Sequence, residues 1–477
     1  MSQVKSKKLK VKSKKTKSIF ASLHLCIFAL IFFFTTVNSF AQKETPPVGG
    51  QPKPFVFPKE EVYTLPNGLK VTLVQYGSVP KVAFQTTIYA GTKDDAKGKK
   101  AISEMVGSML KEGTKTRSAE QIARETAEMG GSINIGTGTD STTITGEVLS
   151  EFDTKFIDLM ADVILNPNFK NESLEQLRAN KLRALAVAGT QAGNQAWEKF
   201  RSVVFAGHPY SQINPTADEV KGYTLDDVKN FYDTNYGAAR TNLYVVGKFN
   251  TVAVKAAIAK AFGGMKKGTA GTRNVPNVQA KKSLSTIDRP DAPQSTIYLG
   301  MPAPNPSDAD YPKFVVMDAI LGGAFGSRIT ANIRENKGYT YSPGSFIWSR
   351  YKTGYWVENA DVTTQFTGAS IKEILFEINR MRTESVGADE LQGIKNYLIG
   401  GYVLQNTSRF GVINQLENMN YNELSRSSID NYVKEISAVT AQDVQNVAKK
   451  YLTEDKMSIV VVGDLKKISD QLKPYEK

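Results

Sequence analysis

Leu243-Tyr244-Val245-Val246-Gly247 and Ile459-Val460-Val461-Val462-Gly463 are one five-residue pattern written twice, 216 residues apart in a chain of 477. Each is an apolar, β-rich run closed by glycine, as expected of a buried strand. The same shift lays Thr224, Asp227, Val228 and Asn230 on Thr440, Asp443, Val444 and Asn446. Nearer the start of each half, Thr87-Ile88-Tyr89-Ala90-Gly91 is echoed by Thr296-Ile297-Tyr298-Leu299-Gly300 at an offset of 209. Two matches in the same order mark an internal duplication. In each copy an apolar β-rich run is followed by helical patterns and closes on another short β-rich run. The expected fold class is therefore α+β, a layered α/β sandwich made twice.

Composition fits that reading and trims others. A chain of this length with 41% apolar residues can bury more than one core. Residues 42–58 carry Pro46, Pro47, Gly49, Gly50, Pro52, Pro54 and Pro58 and read as a tether; 263–282 are polar, basic and dotted with glycine and read as a linker. The two halves are then 59–262 and 283–477. The formal charge of +13 would suggest nucleic acid or an anionic membrane. Residues 1–41, however, hold eight lysines and no Asp, Glu or Arg, so their loss takes +13 to +5 and no nucleic-acid partner is expected. That segment reads as a signal peptide, with a lysine-rich start, an apolar run from Ile19 to Val37, and Ser39-Phe40-Ala41 before the expected cut. The expected location is the periplasm or another exported compartment, with anchoring in a membrane as the alternative if the segment stays uncleaved. Cys26 is the only cysteine and falls within the signal, so the mature chain is held by its cores without disulfides.

In the first half a turn at Leu65-Pro66-Asn67-Gly68-Leu69 leads into a strand, and a second strand runs on to an amphipathic helix. Ile102, Met105, Val106, Met109 and Leu110 form its apolar stripe, with Glu104, Ser108 and Lys111 opposite. The helix ends at Gly113-Thr114, and Gly130-Gly131-Ser132-Ile133-Asn134 follows. This order of features resembles the pitrilysin/insulinase family of metallopeptidases, with the LuxS/processing-peptidase-like fold of two homologous halves facing each other around a chamber. In active members the helix carries H-x-x-E-H, which binds zinc and activates water. Counted back from Gly113-Thr114, its three slots hold Glu104, Gly107 and Ser108, and none matches. The family's third ligand, a glutamate, should fall around Lys181 to Leu185, yet no Asp or Glu lies between Glu175 and Glu198. Independently of alignment, the chain has two histidines, and His24 is in the signal. One imidazole and no mature cysteine leave no metal site and no cofactor to expect in this chain. His208, before Pro209, reads as a structural hydrogen-bonding residue.

The second half carries Leu321-Gly322-Gly323-Ala324-Phe325-Gly326-Ser327-Arg328-Ile329, then Arg334-Glu335-Asn336-Lys337-Gly338-Tyr339-Thr340-Tyr341-Ser342. No Lys-Ser/Thr follows Gly326, so this is not a phosphate loop. The glycines allow a tight turn or the close approach of a peptide, which makes Gly322, Gly323 and Gly326 candidate substrate-binding positions. The stretch resembles the family's C-terminal signature, in which an arginine and a tyrosine seven positions later hold the substrate's backbone carbonyl near the zinc. Carried over, these are Arg334 and Tyr341. Taken singly, a salt bridge to Glu335 and a core ring would explain them. The resemblance implies the non-zinc subunit of a heterodimer, like the alpha subunit of mitochondrial processing peptidase, with zinc in a homologous partner and an unfolded peptide as substrate. It lacks that subunit's long glycine-rich insertion, so presequence specificity is not carried over. An inert scaffold and a free peptide-binding protein are the alternatives.

Overall fold

The computed structural model describes residues 55–278 and 280–476, so the signal expected at 1–41 and most of the tether lie outside the described residues. Residues 55–476 fall in one compact unit. In its first half are strands β1 (Glu61–Thr64), β2 (Lys70–Gln75), β3 (Lys81–Ile88), β4 (Ser132–Thr137), β5 (Thr142–Leu149) and β6 (Thr241–Gly247). Helices α1 (Ile102–Met109), α2 (Asp153–Leu165), α3 (Asn171–Thr190), α4 (Ala192–Val204), α5 (Leu225–Asn235) and α6 (Thr251–Phe262) belong to the same half. The second contains β7 (Ser283–Asp288), β8 (Gln294–Pro302), β9 (Gly344–Arg350), β10 (Thr353–Thr363) and β11 (Ser458–Gly463). Its helices are α7 (Tyr311–Asp318), α8 (Thr367–Thr383), α9 (Ala388–Gln405), α10 (Arg409–Tyr421), α11 (Ala441–Tyr451) and α12 (Leu465–Leu472).

The strand orders are β1-β2-β6-β3-β5-β4 and β7-β11-β8-β10-β9. Without β1 these are one topology: β6 lies parallel to β2 and antiparallel to β3, as β11 lies parallel to β7 and antiparallel to β8. The two copies of the opening pattern thus occupy the same strand of two like sheets, as the repeat requires. Their apolar character on successive residues follows from burial on both faces. On β6, Leu243 and Val245 point into the core under α1, α2, α5 and α6, while Tyr244 and Val246 point the other way.

What covers those second faces comes from the other half. Val412, Ile413 and Leu416 of α10 pack on Val74, Ala83, Tyr244 and Val246 of the first sheet. Ala196, Phe200 and Val204 of α4 pack on Tyr355, Val357, Val460 and Val462 of the second. α4 and α10 are themselves repeat equivalents, 217 residues apart. The halves are therefore joined by a reciprocal exchange of one helix each.

Two segments read as connectors are tied down in part. Phe55 packs edge-on against Tyr402, Phe57 is buried, and Arg426 donates to the carbonyls of Phe57 and Pro58, so a free tether stops short of Phe55. Among its described residues the 263–282 linker holds no helix or strand, but Arg240 donates to the Thr269 carbonyl (3.0 Å) and Arg273 sits over the rings of Tyr89, Tyr351 and Tyr421. His208 has the structural role expected of it: one ring nitrogen lies 3.1 Å from the Asn274 carbonyl and the other accepts from the Tyr210 amide.

Candidate functional site

On α1 the apolar stripe is buried and the three motif slots lie where the sequence places them. At the first slot the Glu104 carboxylate meets Lys181 Nζ of α3 at 2.5 Å. Lys181 opens the stretch where the third metal ligand was sought, so an ammonium stands against the first slot from the position that would carry the ligand. Gly107 is buried against β4, and a Cβ there would come 2.2 Å from Thr137 Oγ1, which leaves no room for a glutamate unless Thr137 turns away. Ser108, half-buried, completes the set. One carboxylate, a lysine, a serine and a glycine do not fit a zinc ion. Among the described residues no group of three His, Cys, Asp or Glu could hold a metal.

This explains why restoring the motif alone should fail. Glu104→His, Gly107→Glu and Ser108→His combined, with Lys181 kept, should retain only substoichiometric zinc after dialysis, measured by elemental analysis. Adding Lys181→Glu should raise the retained zinc, because it supplies a third ligand and removes the cation.

The second-half signature folds around two wide π-type turns, Ala319–Gly323 and Thr330–Asn336, a backbone form often found at functional sites. They are firmly held. Arg328 makes a two-pronged pair with Glu390 of α9 (2.8 and 2.7 Å), and Asn332 donates to Glu373 and Glu377 of α8. Tyr339 stacks on Phe366 at 4.3 Å. The anchored turns present Arg334 outward, its guanidinium 4.6 Å from the ring centre of Phe325 and 5.1 Å from that of Tyr341. Both rings are open to solvent, Phe325 at 75% and Tyr341 at 79%, which excludes the core-ring explanation for Tyr341. Arg334 Nε also pairs with Glu335 at 3.2 Å, but that carboxylate is 61% exposed, and such surface pairs are worth little.

The structure thus brings Arg334 and Tyr341 together and adds Phe325, which no sequence pattern singles out. A guanidinium lying over two rings keeps the in-plane N–H groups that Glu335 does not engage available as donors to a carbonyl oxygen. Of the glycines, Gly322 is buried, and a Cβ there would lie 2.5 Å from Ser345 Oγ and 2.7 Å from Glu358 Oε2; its role is close packing. Gly323 and Gly326 are exposed, beside Phe325.

Behind Gly322 lies a pair of buried carboxyls that no sequence pattern announced. Asp318 accepts from Ser345 Oγ (2.5 Å) and Trp356 Nε1 (2.7 Å), whereas Glu358, fully buried, has no hydrogen-bond partner of ordinary geometry on either oxygen. Burial pushes Asp318 up to about 6. Burial raises Glu358 well above the usual carboxylate range, the neighbouring Asp318 adds to this, and the Gly344 backbone opposes it. An acid raised in the folded state holds its proton there after the unfolded chain has lost its own, so the stabilising contribution fades as pH climbs through the folded value. Glu358→Gln keeps the shape of the protonated acid. It should stabilise the protein by about 1–3 kcal/mol at pH 8 and by little at pH 4, read from urea unfolding at the two pH values.

Comparison with known proteins finds relatives along most of the chain. Residues 70–213 match the family model described as insulinase (peptidase family M16), and residues 222–398 match the M16 inactive domain. An uncharacterized zinc protease of Rickettsia felis is 26% identical over 400 residues, covering 83% of this chain and 96% of that protein. A protein of Helicobacter pylori named as a non-peptidase homolog is 24% identical over 380 residues, covering 78% of this chain and 86% of its own length. Among solved structures, an M16 inactive domain from Pseudomonas fluorescens superposes with a TM-score of 0.79 at 23% identity, over 85% of this chain and 98% of that one. A protease from Helicobacter pylori gives 0.80 at 19%, over 86% and 100%.

Proposed function

Because the chain belongs to the M16 (insulinase) family and carries no zinc motif, we propose that it is the non-zinc subunit of a two-chain endopeptidase, exported from the cytoplasm, with a zinc-bearing family homologue as partner. The observation that supports this reading best is Arg334 lying over the exposed rings of Phe325 and Tyr341. A half-buried arginine beside an exposed tyrosine, at the family's spacing on anchored turns, suits a carbonyl that gains negative charge better than a packing role. In the complex the partner's zinc supplies the activated water. This chain's part is to bind an unfolded peptide and donate hydrogen bonds from Arg334 and Tyr341 to its backbone oxygen.

The test is purification of the full chain from its native source through a C-terminal affinity handle. The expected result is a co-purifying chain of similar size with an H-x-x-E-H helix. Cleavage of an unfolded peptide should require both chains and be lost to a chelator. Zinc-dependent cleavage by this chain alone would refute the reading, and a stable partner complex without cleavage would favour the scaffold alternative.

A further inference from the structure

The strands at the margins of the two sheets are β1, β4, β7 and β9. Seven residues long against four, six and six, β9 is the longest of them. It is also weakly guarded. Natural edge strands are blunted by lysine, proline, inward-pointing charges or a bulge. Gly344-Ser345-Phe346-Ile347-Trp348-Ser349-Arg350 has no Lys, Pro, Asp or Glu, its one charge stands at the last position, and its register against β10 runs unbroken. No residue of β9 is buried, whereas Thr353 to Glu358 opposite all are. From Gly344 to Trp348 no backbone group bonds to anything but β10 among the described residues, and a Cβ on Gly344 would meet nothing within 4 Å.

What this edge can take follows from its two ends and its two faces. Arg350 pairs with Asp140 of the first half at 3.4 Å, which closes the far end. The near end opens on the arginine site: only Ser342 and Pro343 separate Tyr341 from Gly344, roughly 10 Å of chain. A peptide whose carbonyl rests on Arg334 and Tyr341 therefore reaches the edge within about three of its own residues. Successive side chains of β9 alternate. Ser345 turns to Asp318 and Ile347 packs on the second core, while Phe346 and Trp348 turn the other way onto Trp197 of α4, at 5.9 and 5.8 Å between ring centres. Phe346 is still 36% exposed, an apolar ring on an open edge. Left bare, such an edge is an aggregation hazard; an added strand covers both its backbone and its ring.

We propose that the free edge of β9 binds an extended peptide as an added strand, with large apolar side chains at alternate positions lying beside Phe346. The edge recognises the peptide's backbone whatever its sequence, and the aromatic side adds a preference at every second residue. An unfolded polypeptide offers both. That this peptide is the one to be cleaved rests on the reading above; that the edge takes a strand does not. The probe is fluorescein-labelled Ser-Phe-Thr-Leu-Ser-Phe-Thr-Lys, titrated with the full chain alone and followed by anisotropy. Two controls carry N-methyl groups on the even-numbered or on the odd-numbered residues, since an added strand turns only one of these sets of N–H groups towards the edge.

Saturable binding of the probe is expected, with one methylated set at least about tenfold weaker and the other within about twofold. Phe346→Lys, a charge of the kind that blunts natural edges, should weaken the probe about tenfold and Phe346→Ala about threefold, with circular dichroism unchanged in both. Phe376→Ala, at an exposed ring of α8, should change nothing. Binding indifferent to Phe346→Lys, or weakened alike by both methylated sets or by neither, overturns the proposal. So does a dimer of the unliganded chain that Phe346→Lys dissociates in analytical ultracentrifugation, which would make a second copy the occupant. Binding as expected in a chain whose co-purified complex cleaves nothing would keep the edge as a peptide site and remove the endopeptidase reading; cleavage unaffected by Phe346→Lys would do the reverse.

Discussion

Arg334→Ala, introduced into the two-chain complex, should cut peptide turnover by about 10²–10³ and leave the complex assembled. Loss of one donor aimed at a developing oxyanion typically costs that much, roughly 3–4 kcal/mol. Tyr341→Phe should act in the same range, because it removes only the phenol hydroxyl. Neither change should unfold the chain: Tyr341 is almost fully exposed, and the turns that carry Arg334 are held by Arg328, Asn332 and Tyr339. Arg334→Lys keeps the charge but loses the planar group that lies over the two rings, and should stay substantially impaired. Turnover at the unmutated rate in both Arg334→Ala and Tyr341→Phe would remove the shared-site reading. Loss of assembly would give the motif a structural role instead.

Phe200→Ala should destabilise the protein by about 3–5 kcal/mol in urea unfolding, the cost of emptying a large aromatic site in a packed core. Phe200 is 1% exposed, stacks on Trp197 at 5.8 Å, and meets Tyr355 edge-on at 5.4 Å. It lies on the exchanged helix α4, so the loss falls on the joint between the halves. Leu416→Ala, its counterpart on α10, should cost about 2–5 kcal/mol. Leu404→Ala, on an exposed residue, is the control and should stay within about 0.5 kcal/mol. If the halves instead melt separately in Phe200→Ala, with the first retaining its unmutated stability, the exchange is not what holds them.

The duplication was legible because a strand buried on both faces is an unbroken apolar run, and the run from Leu243 to Gly247 recurs 216 positions later. The vacated zinc slots were legible because a helix ending at Gly113-Thr114 gives a fixed count. Lys181 was half legible: its place was marked, but that it would pair with Glu104 across 77 positions depends on how α3 lies on α1. The exchange of α4 and α10 was hidden, since an amphipathic pattern tells that a helix has a buried side and not which sheet buries it. Phe325 was hidden for the opposite reason. An aromatic between glycines carries no periodicity to place it, and it is the fold around the two π turns that sets it beside Arg334. Glu358 sits in a strand that mixes apolar and polar residues, with Asn359 and Asp361 close by, and nothing marks it as the one that is buried and unpaired.

The crossed helices also set a timetable. During synthesis the first sheet is complete once Gly247 has emerged, but its second face, with Val74, Ala83, Tyr244 and Val246, stays uncovered until α10 appears up to Tyr421. At ordinary elongation rates that interval is roughly 10–35 s. A finished sheet left apolar on one side for that long invites aggregation or a holding chaperone. Growth of the nascent chain therefore cannot be divided into one half folded and one half to come: the first becomes stable only when most of the second has been made.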